Sequence, residues 1–273
     1  MSAVFTDQMG RTVTLEKIPQ RIVSLVPSQT ELLHTLGLGE AVAGITKFCI
    51  HPDEWFRSKT RVGGTKQVNF EKIAALQPDL IIANKEENEQ SQIEALMQNY
   101  PVWISDIKTL PDAFSMIRSV GELTGHAEKA NAIAEEVSGR FENFREKAAH
   151  FPKRRTAYFI WKNPWMAAGG NTFIDHLLQE CRMENIFSGN GRYPEVTLDE
   201  LSEKQPELVL LSSEPYPFKE KHAEEIRSVL PEAKILAVDG ELFSWYGSRL
   251  LHAPAYFLEL LDSIASAGDS GNS

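Results

Sequence analysis

The chain has 273 residues, of which 42% are hydrophobic and 24% are charged, so it is long enough for two domains of ordinary size with real cores. Its 28 basic and 38 acidic residues give a formal net charge of −10. This balance argues against a general nucleic-acid surface and disfavours plain electrostatic binding to anionic lipid, because both need clustered Lys and Arg.

The start of the chain, residues 1–17, is polar and alternating, with no basic stretch followed by an apolar run. No apolar run in the sequence approaches the length of a bilayer-spanning helix. The sequence as written therefore predicts a protein that is not embedded in a membrane and stays in the cytoplasm. A periplasmic or cell-surface location is expected instead if an export signal has been removed.

The first half of the chain alternates predicted strands and helices. The strands are expected at 21–26, 41–46, 80–83 and 102–105. Ser28 and Glu31 have the spacing of a capping box that opens a helix over 30–36, and Gly37 ends that helix. Strands that alternate with helices predict an open parallel sheet with helices on its faces.

A segment with helical periodicity follows at 111–149. Gly121 and Gly125 divide it, which leaves one uninterrupted helix from His126 onward. A flexible linker would need Gly, Ser or Pro, and this segment mostly lacks them. We therefore expect a long helix between the two halves.

The second half repeats the alternation. Its strands are expected at 156–161, 208–211 and 234–238, and Thr172 begins a helix over 173–181. Residues 265–273 are small and polar and predict a disordered tail. The predicted organisation is an N-terminal α/β lobe at 1–110, an interlobe helical segment at 111–150, a C-terminal α/β lobe at 151–264 and the tail.

An internal repeat relates the two halves, because residues 70–83 align without a gap on residues 198–211. In both copies a short amphipathic helix ends at Gln-Pro, where proline stops the winding. An acid follows, and then an apolar run that predicts a buried parallel strand. The predicted fold class is α/β: two Rossmann-like lobes with central parallel sheets, bridged by one long α-helix.

Signatures of catalysis are absent from the sequence. Gly37-Leu-Gly39 follows a helix and lacks the third glycine of a dinucleotide fingerprint. There is neither a phosphate loop nor a nucleophile elbow. We therefore predict that the protein is not an enzyme and requires no cofactor. The competing hypothesis is an enzyme that uses His51 or Glu86 as its general base.

A metal site is a second hypothesis. Cys49 and His51 could place two ligands on one face of a strand, with His252 or Glu86 completing a receptor for a free metal ion. The alternative interpretation is a buried cysteine beside a loop histidine. Cys49 and Cys181 lie far apart and predict no disulfide.

Aromatic and polar residues collect where the predicted strands end, which is where ligands bind in open α/β sheets. The candidates in the first half are Ser28, Phe48, His51, Thr65, Lys66, Asn84, Lys85 and Glu86. The candidates in the second half are Trp161, Trp165, Tyr193, Glu214, Trp245 and Arg249. We expect at least one of the three tryptophans to contact a ligand, because cores favour strand and helix positions for Trp.

Glu71 and Asp199 occupy the same position of the repeat, each in the first turn of its helix. Acids in a first turn are stabilised by the helix dipole whatever their function. The other interpretation is a matched pair of exposed carboxylates, one in each lobe, that bind basic sites on a partner. The residues alone leave both interpretations open.

Several segments together resemble the periplasmic-binding family, and the resemblance covers roughly residues 5–262. The segments are 21–31 (RIVSLVPSQTE), 44–52 (GITKFCIHP), 77–82 (QPDLII) and 184–187 (ENIF). The resemblance implies two α/β lobes that capture cobalamin, haem or a ferric siderophore between them for an ABC importer. It also implies that Glu71 and Asp199 dock on arginines of the transporter permease dimer.

The chain departs from the cobalamin-binding members, because Thr65 and Asn84 stand where those members have tryptophans that pack on the corrin. Tyr193 and Phe48 keep aromatic residues at two other such places. We therefore expect the ligand to be a large cobalt or iron chelate, bound between aromatic loops. We also expect the protein to be a monomer. Peripheral carboxylates or phosphate of the ligand would meet a set of cations, namely Lys66, Lys85 and Arg249. A chain that stays in the cytoplasm would instead bind a cofactor or act as a sensor.

Overall fold

The computed structural model describes residues 2–269, which divide into two compact units. The first unit runs up to Ile107 and includes two further segments, Pro111–Val137 and Trp245–Arg249. The second unit contains residues 108–110, the segment Ser138–Ser244, and the chain from Leu250 onward. Each unit has its own parallel sheet, so the predicted α/β class is confirmed.

The chain begins with an antiparallel hairpin of strands β1 (Ala3–Thr6) and β2 (Thr12–Leu15). One carboxylate oxygen of Asp7 accepts hydrogen bonds from the backbone N–H groups of Met9 and Arg11, both at 2.9 Å. This bonding closes the turn. The alternation of residues 1–17 comes from this hairpin, which the sequence analysis did not predict.

The sheet of the first unit has five parallel strands in the order β5-β4-β3-β6-β7. These strands are β3 (Ile22–Ser24), β4 (Val42–Ile45), β5 (Thr60–Arg61), β6 (Leu80–Asn84) and β7 (Val102–Ser105). All residues of β3, β6 and β7 are buried, as expected for a parallel sheet covered on both faces. The chain order reverses at the central strand β3, which creates a crevice at its carboxyl end.

The helices up to the middle of the chain are α1 (Pro27–Leu36), α2 (Asp53–Ser58), α3 (Phe70–Leu76), α4 (Gln90–Met97), α5 (Leu110–Thr124) and α6 (Ala127–Ala148). The predicted capping box of Ser28 and Glu31 is wrong. Helix α1 begins three residues earlier, at Pro27, and its N-cap Val26 provides no side-chain hydrogen bond. Proline suits the first helical position, since its missing N–H would have no partner there.

The predicted long helix is α6, which spans 22 residues. Its residues up to Val137 belong to the first unit and those from Ser138 to the second. Gly125 separates it from α5 with a φ of 74°. Gly121 does not divide the segment as predicted. It lies inside α5, where an added Cβ would come within 2.2 Å of the Ala130 Cβ, so glycine allows α5 and α6 to pack closely.

The sheet of the second unit has four parallel strands in the order β10-β8-β11-β12, with β9 antiparallel to β8. The strands are β8 (Arg154–Trp161), β9 (Met166–Ala167), β10 (Met183–Asn185), β11 (Leu208–Ser212) and β12 (Lys234–Val238). One of its cores contains Phe159, Val209 and Leu211. The apolar runs predicted as strands therefore supply the buried surface that holds this unit together.

The remaining helices are α7 (Phe173–Glu180), α8 (Leu198–Lys204), α9 (Glu220–Arg227), α10 (Gly240–Ser244) and α11 (Ala253–Asp269), with a 3₁₀ turn at Ser248–Leu251. The predicted disorder from residue 265 is wrong as far as Asp269, because α11 continues to that residue. Ile264 is buried, and alanine has a high helix propensity. Residues 270–273 lie outside the described part of the chain.

The internal repeat is visible as a repeated local structure. Helices α3 and α8 end at Gln77 and Gln205, which have left-handed φ values of 46° and 45°. The acid two residues later accepts a backbone N–H from the neighbouring strand end. Asp79 accepts from Arg21 at 2.7 Å, and Glu207 accepts from Arg155 at 3.0 Å. The predicted repeat is therefore confirmed.

Within residues 2–269, no helix combines the length and apolar character needed to cross a bilayer.

Candidate functional site

In the first unit, the crevice beside β3 is covered by the segment Trp245–Arg249. The Tyr246 hydroxyl donates to the Glu87 carboxylate at 3.1 Å, next to the end of β6. Gly247 has a φ of 120°, and an added Cβ would lie 3.2 Å from the carbonyl oxygen of Ser28. Only glycine fits this close approach without strain. The segment 245–249 therefore packs against the start of α1 and the loop that follows β6.

A bidentate ion pair holds this segment in place. Arg249 donates from Nε and Nη2 to the two carboxylate oxygens of Glu31, at 3.0 and 2.6 Å. The guanidinium carbon lies 4.8 Å from the centre of the Trp245 ring, and the His51 ring lies 5.7 Å from that ring at 68°. The sequence analysis assigned Trp245 and Arg249 to the C-terminal lobe. This assignment is wrong, because both residues belong to the first unit. The Arg249 charge, expected to meet a ligand, pairs with Glu31.

Asn84 shapes a loop from a buried position, with 3% of its surface exposed. Its Oδ1 accepts the backbone N–H groups of Glu86 and Glu87, at 2.8 and 3.0 Å. Its Nδ2 donates to the Ser105 hydroxyl at 3.0 Å. Asn84 thus holds the loop that carries Glu86, and it does not present its side chain at the surface.

Three other candidates of the first unit are buried, half-buried or already ion-paired. Ser28 is buried inside the first turn of α1. Lys85 forms an ion pair with Asp106 at 2.6 Å. Thr65 is half-buried, and its carbonyl oxygen accepts a hydrogen bond from Asn88 at 3.0 Å. Of these three, only Lys85 is exposed, and its charge is compensated by Asp106.

The exposed candidates of the first unit follow β4 and β5. Phe48 is 50% exposed and Ile50 is 45% exposed. The Lys47 ammonium lies 5.0 Å from the centre of the Phe48 ring. The Lys66 ammonium donates to the carbonyl oxygen of Glu86 at 2.7 Å. His51 is half-exposed in the same loop.

Cys49 lies between the exposed Phe48 and Ile50 in sequence, but it is fully buried. Its Sγ lies 3.1 Å from the Thr30 hydroxyl and 3.2 Å from the Thr46 hydroxyl. Burial raises the pKa of the Cys49 thiol, which disfavours the thiolate that binds metals. Within residues 2–269, no group of three or more His, Cys, Asp or Glu side chains could hold a metal ion. The structure therefore does not support the free-metal hypothesis.

In the second unit, Trp161 ends β8 and is 39% exposed. Its ring lies 5.4 Å from the Tyr216 ring at 68°, an edge-to-face contact that fixes its orientation. Trp165 differs, because it is buried and stacks on Phe218 at 5.7 Å. The ammonium of Lys162 lies 4.0 Å above the Trp165 ring and pairs with Glu225. Trp165 is therefore part of the core.

The cluster behind Trp161 contains residues outside the predicted set. Tyr216, Phe218 and His222 contact one another through their rings. His222 Nδ1 accepts the backbone N–H of Lys219 at 2.9 Å at the start of α9. Burial and nearby lysines lower the pKa of His222. Their spacing at 216, 218 and 222 was the available sequence signal, and it does not distinguish a loop cluster from ordinary core packing.

The two other candidates of the second unit are half-buried. Glu214 accepts a hydrogen bond from the Ser244 hydroxyl at 3.0 Å. Tyr193 follows the glycine-rich loop 188–192. Both residues lie in loops, as the sequence analysis predicted.

Glu71 and Asp199 are exposed in the first turns of α3 and α8. Neither one caps its helix. Asn69 caps α3 by accepting the Lys72 N–H at 2.8 Å, and Thr197 caps α8 with Glu200 in a reciprocal capping box. The structure therefore leaves these two carboxylates without a capping role.

A cavity of about 530 Å³ lies at the opposite edge of the second sheet, at the amino ends of β8, β11 and β12. Its lining includes Arg154, Glu207 and Lys234. Arg154 and Glu207 pair with each other at 2.8 Å, and Lys234 donates to the Ser263 carbonyl oxygen at 2.6 Å. Because these charges are already satisfied locally, the exposed aromatic residues at the carboxyl ends are the better candidates for ligand contact.

Comparison with known proteins gives a consistent set of relatives. Residues 22–234 match the family model described as periplasmic binding protein. The vitamin B12-binding protein of Pectobacterium atrosepticum is 28% identical over 262 residues, which cover 93% of this chain and 92% of that protein. An uncharacterized ABC transporter substrate-binding lipoprotein of Bacillus subtilis, YvrC, is 27% identical, with coverage of 94% and 84%.

A similar solved structure is that of the periplasmic vitamin B12 binding protein BtuF of Vibrio cholerae. It has a TM-score of 0.77 at 23% identity, and the match covers 90% of this chain and 98% of that chain. At this identity the likeness establishes the fold. The ligand depends on the side chains at the strand ends.

Proposed function

The chain belongs to the periplasmic binding protein family, and from this premise we propose that it is a non-enzymatic solute-binding protein that binds a metal chelate for an ABC transporter. The proposed ligand class is a corrinoid such as cobalamin, a ferric siderophore or haem. This ligand class is supported by the similarity of the chain to the vitamin B12-binding protein of Pectobacterium atrosepticum. The transporter role is supported by the B. subtilis relative, which is named as an ABC transporter substrate-binding lipoprotein.

The observation that carries the proposal is the exposed Trp161 at the carboxyl end of β8, fixed edge-on by Tyr216. An exposed tryptophan held in one orientation provides a flat apolar surface at small entropic cost. In the first unit, Phe48 is exposed at the corresponding edge of its sheet. Large planar or chelating ligands bind to such surfaces through apolar contact, which requires no chemistry from the protein.

Replacing Trp161 tests this proposal. We expect Trp161→Ala to weaken chelate binding about five- to tenfold, because the variant loses roughly 1 kcal/mol of aromatic contact. Trp161→Phe should retain most of the affinity, and Trp55→Phe, a buried tryptophan of α2, is the control for fluorescence. The measurement is a fluorescence and absorbance titration with cobalamin, ferric protoporphyrin and a ferric hydroxamate. If the unmodified protein binds none of these compounds, the proposed ligand class is wrong.

The proposal also assigns a role to Glu71 and Asp199 as docking carboxylates for the permease. Its support is their exposure, their equivalent places in the repeat and their lack of a capping role. An importer receives its ligand outside the cytoplasmic membrane, so the proposal places the protein in the periplasm or on the cell surface. Cell fractionation with an antibody against the protein tests this location.

A further inference from the structure

Residues 2–269 contain two dipeptides in which an Asn or Asp is followed by glycine, namely Asn190-Gly191 and Asp239-Gly240. In such a dipeptide the glycine nitrogen can attack the preceding side-chain carbonyl carbon and close a succinimide ring. Glycine hinders this attack least because it has no Cβ, and asparagine is a thermolabile residue. The hydrogen bonds of the reacting groups then decide which of the two dipeptides is labile in the folded protein.

The reacting groups of Asn190-Gly191 are exposed. Both residues lie in the glycine-rich loop 188–192 at the surface of the second unit. Among residues 2–269, neither the Asn190 side chain nor the Gly191 N–H has a hydrogen-bond partner. An added Cβ on Gly191 would meet no atom within 4 Å, so the surroundings are open. Ring closure at this position therefore breaks no hydrogen bond of these two groups.

The reacting groups of Asp239-Gly240 are held by hydrogen bonds. Gly240 is buried, and its N–H donates to the Ser213 hydroxyl at 3.0 Å. The Asp239 carboxylate accepts the Glu241 N–H at 3.0 Å through Oδ1. Ring closure here would break both bonds at the start of α10, and a backbone donor without a partner in a buried site is costly. The structure therefore protects this dipeptide.

The main chain of the loop 188–192 packs directly on a second backbone segment. The Asn190 carbonyl oxygen accepts the Gly170 N–H at 3.2 Å, and the Arg192 carbonyl oxygen accepts the Gly169 N–H at 2.8 Å. An added Cβ on Gly169 would lie 2.0 Å from the Gly191 carbonyl oxygen. These contacts use carbonyl oxygens and leave the reacting groups outside them. An extra main-chain atom between Asn190 and Gly191 would displace the contacts.

We propose that Asn190 is a site of spontaneous deamidation, and that the product releases the loop 188–192 from Gly169 and Gly170. The Gly191 nitrogen bonds to Cγ of Asn190, and the side-chain amide leaves as ammonia with the proton of that nitrogen. One water molecule then opens the succinimide at either carbonyl carbon and gives aspartate or isoaspartate, with no oxidation or reduction. In isoaspartate the main chain runs through Cβ and Cγ, so it is one methylene longer.

A variant at the second dipeptide provides a matched test. Asp239→Asn places the same reactive pair in the hydrogen-bonded setting of α10. The wild type and this variant are incubated at mildly alkaline pH, both folded and in urea, and peptide mapping by mass spectrometry follows deamidation at positions 190 and 239. Electron-transfer fragmentation distinguishes isoaspartate from aspartate. Limited proteolysis of the separated forms measures how accessible the loop 188–192 is.

The expected result is a difference in rate that unfolding removes. In the folded protein, position 190 should deamidate at least about tenfold faster than position 239 of Asp239→Asn, because reaction at 239 first breaks buried hydrogen bonds. In urea the two positions should react at similar rates. Gly191→Ala should slow the reaction at Asn190 without disturbing the fold, because the added Cβ meets no atom within 4 Å. The isoaspartate form should be cleaved faster within the loop than the unmodified form.

Two results would overturn the proposed site. Equal rates at the two positions in the folded protein would show that the hydrogen bonds do not control the reaction. A folded protein that keeps Asn190 intact, while the chain in urea deamidates there, would show that the loop holds Asn190 in an unreactive conformation. Equal cleavage of the isoaspartate and unmodified forms would refute the release of the loop. These measurements involve no ligand, so they do not depend on the proposed function.

Discussion

At the residue scale, the neutral imidazole of His222 accepts a backbone hydrogen bond at the start of α9. Its Nδ1 accepts the Lys219 N–H at 2.9 Å, so the folded state requires this nitrogen to be unprotonated. The pKa of His222 is lowered mainly by its burial. The positive charges of Lys221, Lys162 and Lys219 lower it further, and the negative charge of Glu225 acts in the opposite direction. The Tyr216 hydroxyl lies 3.5 Å from Nε2 on the other side of the ring.

This arrangement predicts a loss of stability on acidification. An unfolded histidine takes up its proton near pH 6.5, whereas His222 resists protonation until a lower pH. The contribution of His222 to stability is therefore complete above about pH 6.5 and is lost as the pH falls through its lower folded value. We expect the melting temperature of the wild type to decrease more between about pH 7 and about pH 5 than that of His222→Asn. Asparagine can accept the same N–H but does not titrate in this range.

The comparison is made by circular dichroism melts at matched ionic strength. His176→Asn is a suitable control because His176 is also in the second unit but lies on α7, outside this cluster. Parallel pH profiles for the wild type and His222→Asn would contradict the prediction.

At the scale of secondary-structure elements, the repeated acid after Gln-Pro ties each short helix to the neighbouring strand. Asp79 accepts N–H groups from both Gln20 and Arg21. Glu207 accepts the N–H of Arg155, and this bond holds the pKa of Glu207 below its ordinary value. The bonds satisfy backbone donors at the amino ends of β3 and β8 that would otherwise lack partners.

Removing either acid should therefore destabilise its own unit. We expect Asp79→Ala and Glu207→Ala each to lower the free energy of unfolding by about 1 to 2 kcal/mol, because each change leaves a backbone donor without its charged acceptor. Urea denaturation followed by fluorescence measures the loss. The control is Glu203→Ala, an exposed acid on α8, which should change the free energy of unfolding by less than about 0.5 kcal/mol. Equal effects of all three substitutions would show that the repeat position has no special role.

At the scale of the whole molecule, the proposed docking of Glu71 and Asp199 on a permease can be tested by charge reversal. We expect Glu71→Lys and Asp199→Lys to abolish stimulation of ATP hydrolysis by a cognate transporter reconstituted in vesicles. Ligand affinity should be unchanged, because neither side chain is among the candidate ligand residues. The permease arginines would repel the new lysines, and like charges at an interface cost affinity and slow association.

Glu203→Lys provides a matched charge reversal on the same helix as Asp199. It should leave transporter stimulation intact. Loss of ligand affinity in Glu71→Lys or Asp199→Lys would show that these residues belong to a ligand site and not to a docking surface.

Local sequence patterns correctly predicted the buried strands and the ends of the two short helices. Apolar runs such as 80–83 and 208–211 became buried strands, and Gln-Pro ended both short helices. The α/β class, the parallel sheets, the repeat and the long helix follow from these patterns alone, because helix and strand periods and turn chemistry act within a few residues.

The tertiary structure decided which side chains remain available to a ligand. Arg249 and Glu31 are 218 positions apart in sequence, so no local pattern could show that they neutralise each other or that Trp245 joins the first unit. The same holds for Asn84, whose burial depends on the packing of β7 beside β6. Burial and ion pairing depend on contacts between distant segments. For that physical reason, the sequence predicted the fold and the strand ends that matter, while the structure alone distinguished exposed Trp161, Phe48 and Lys66 from their buried or paired neighbours.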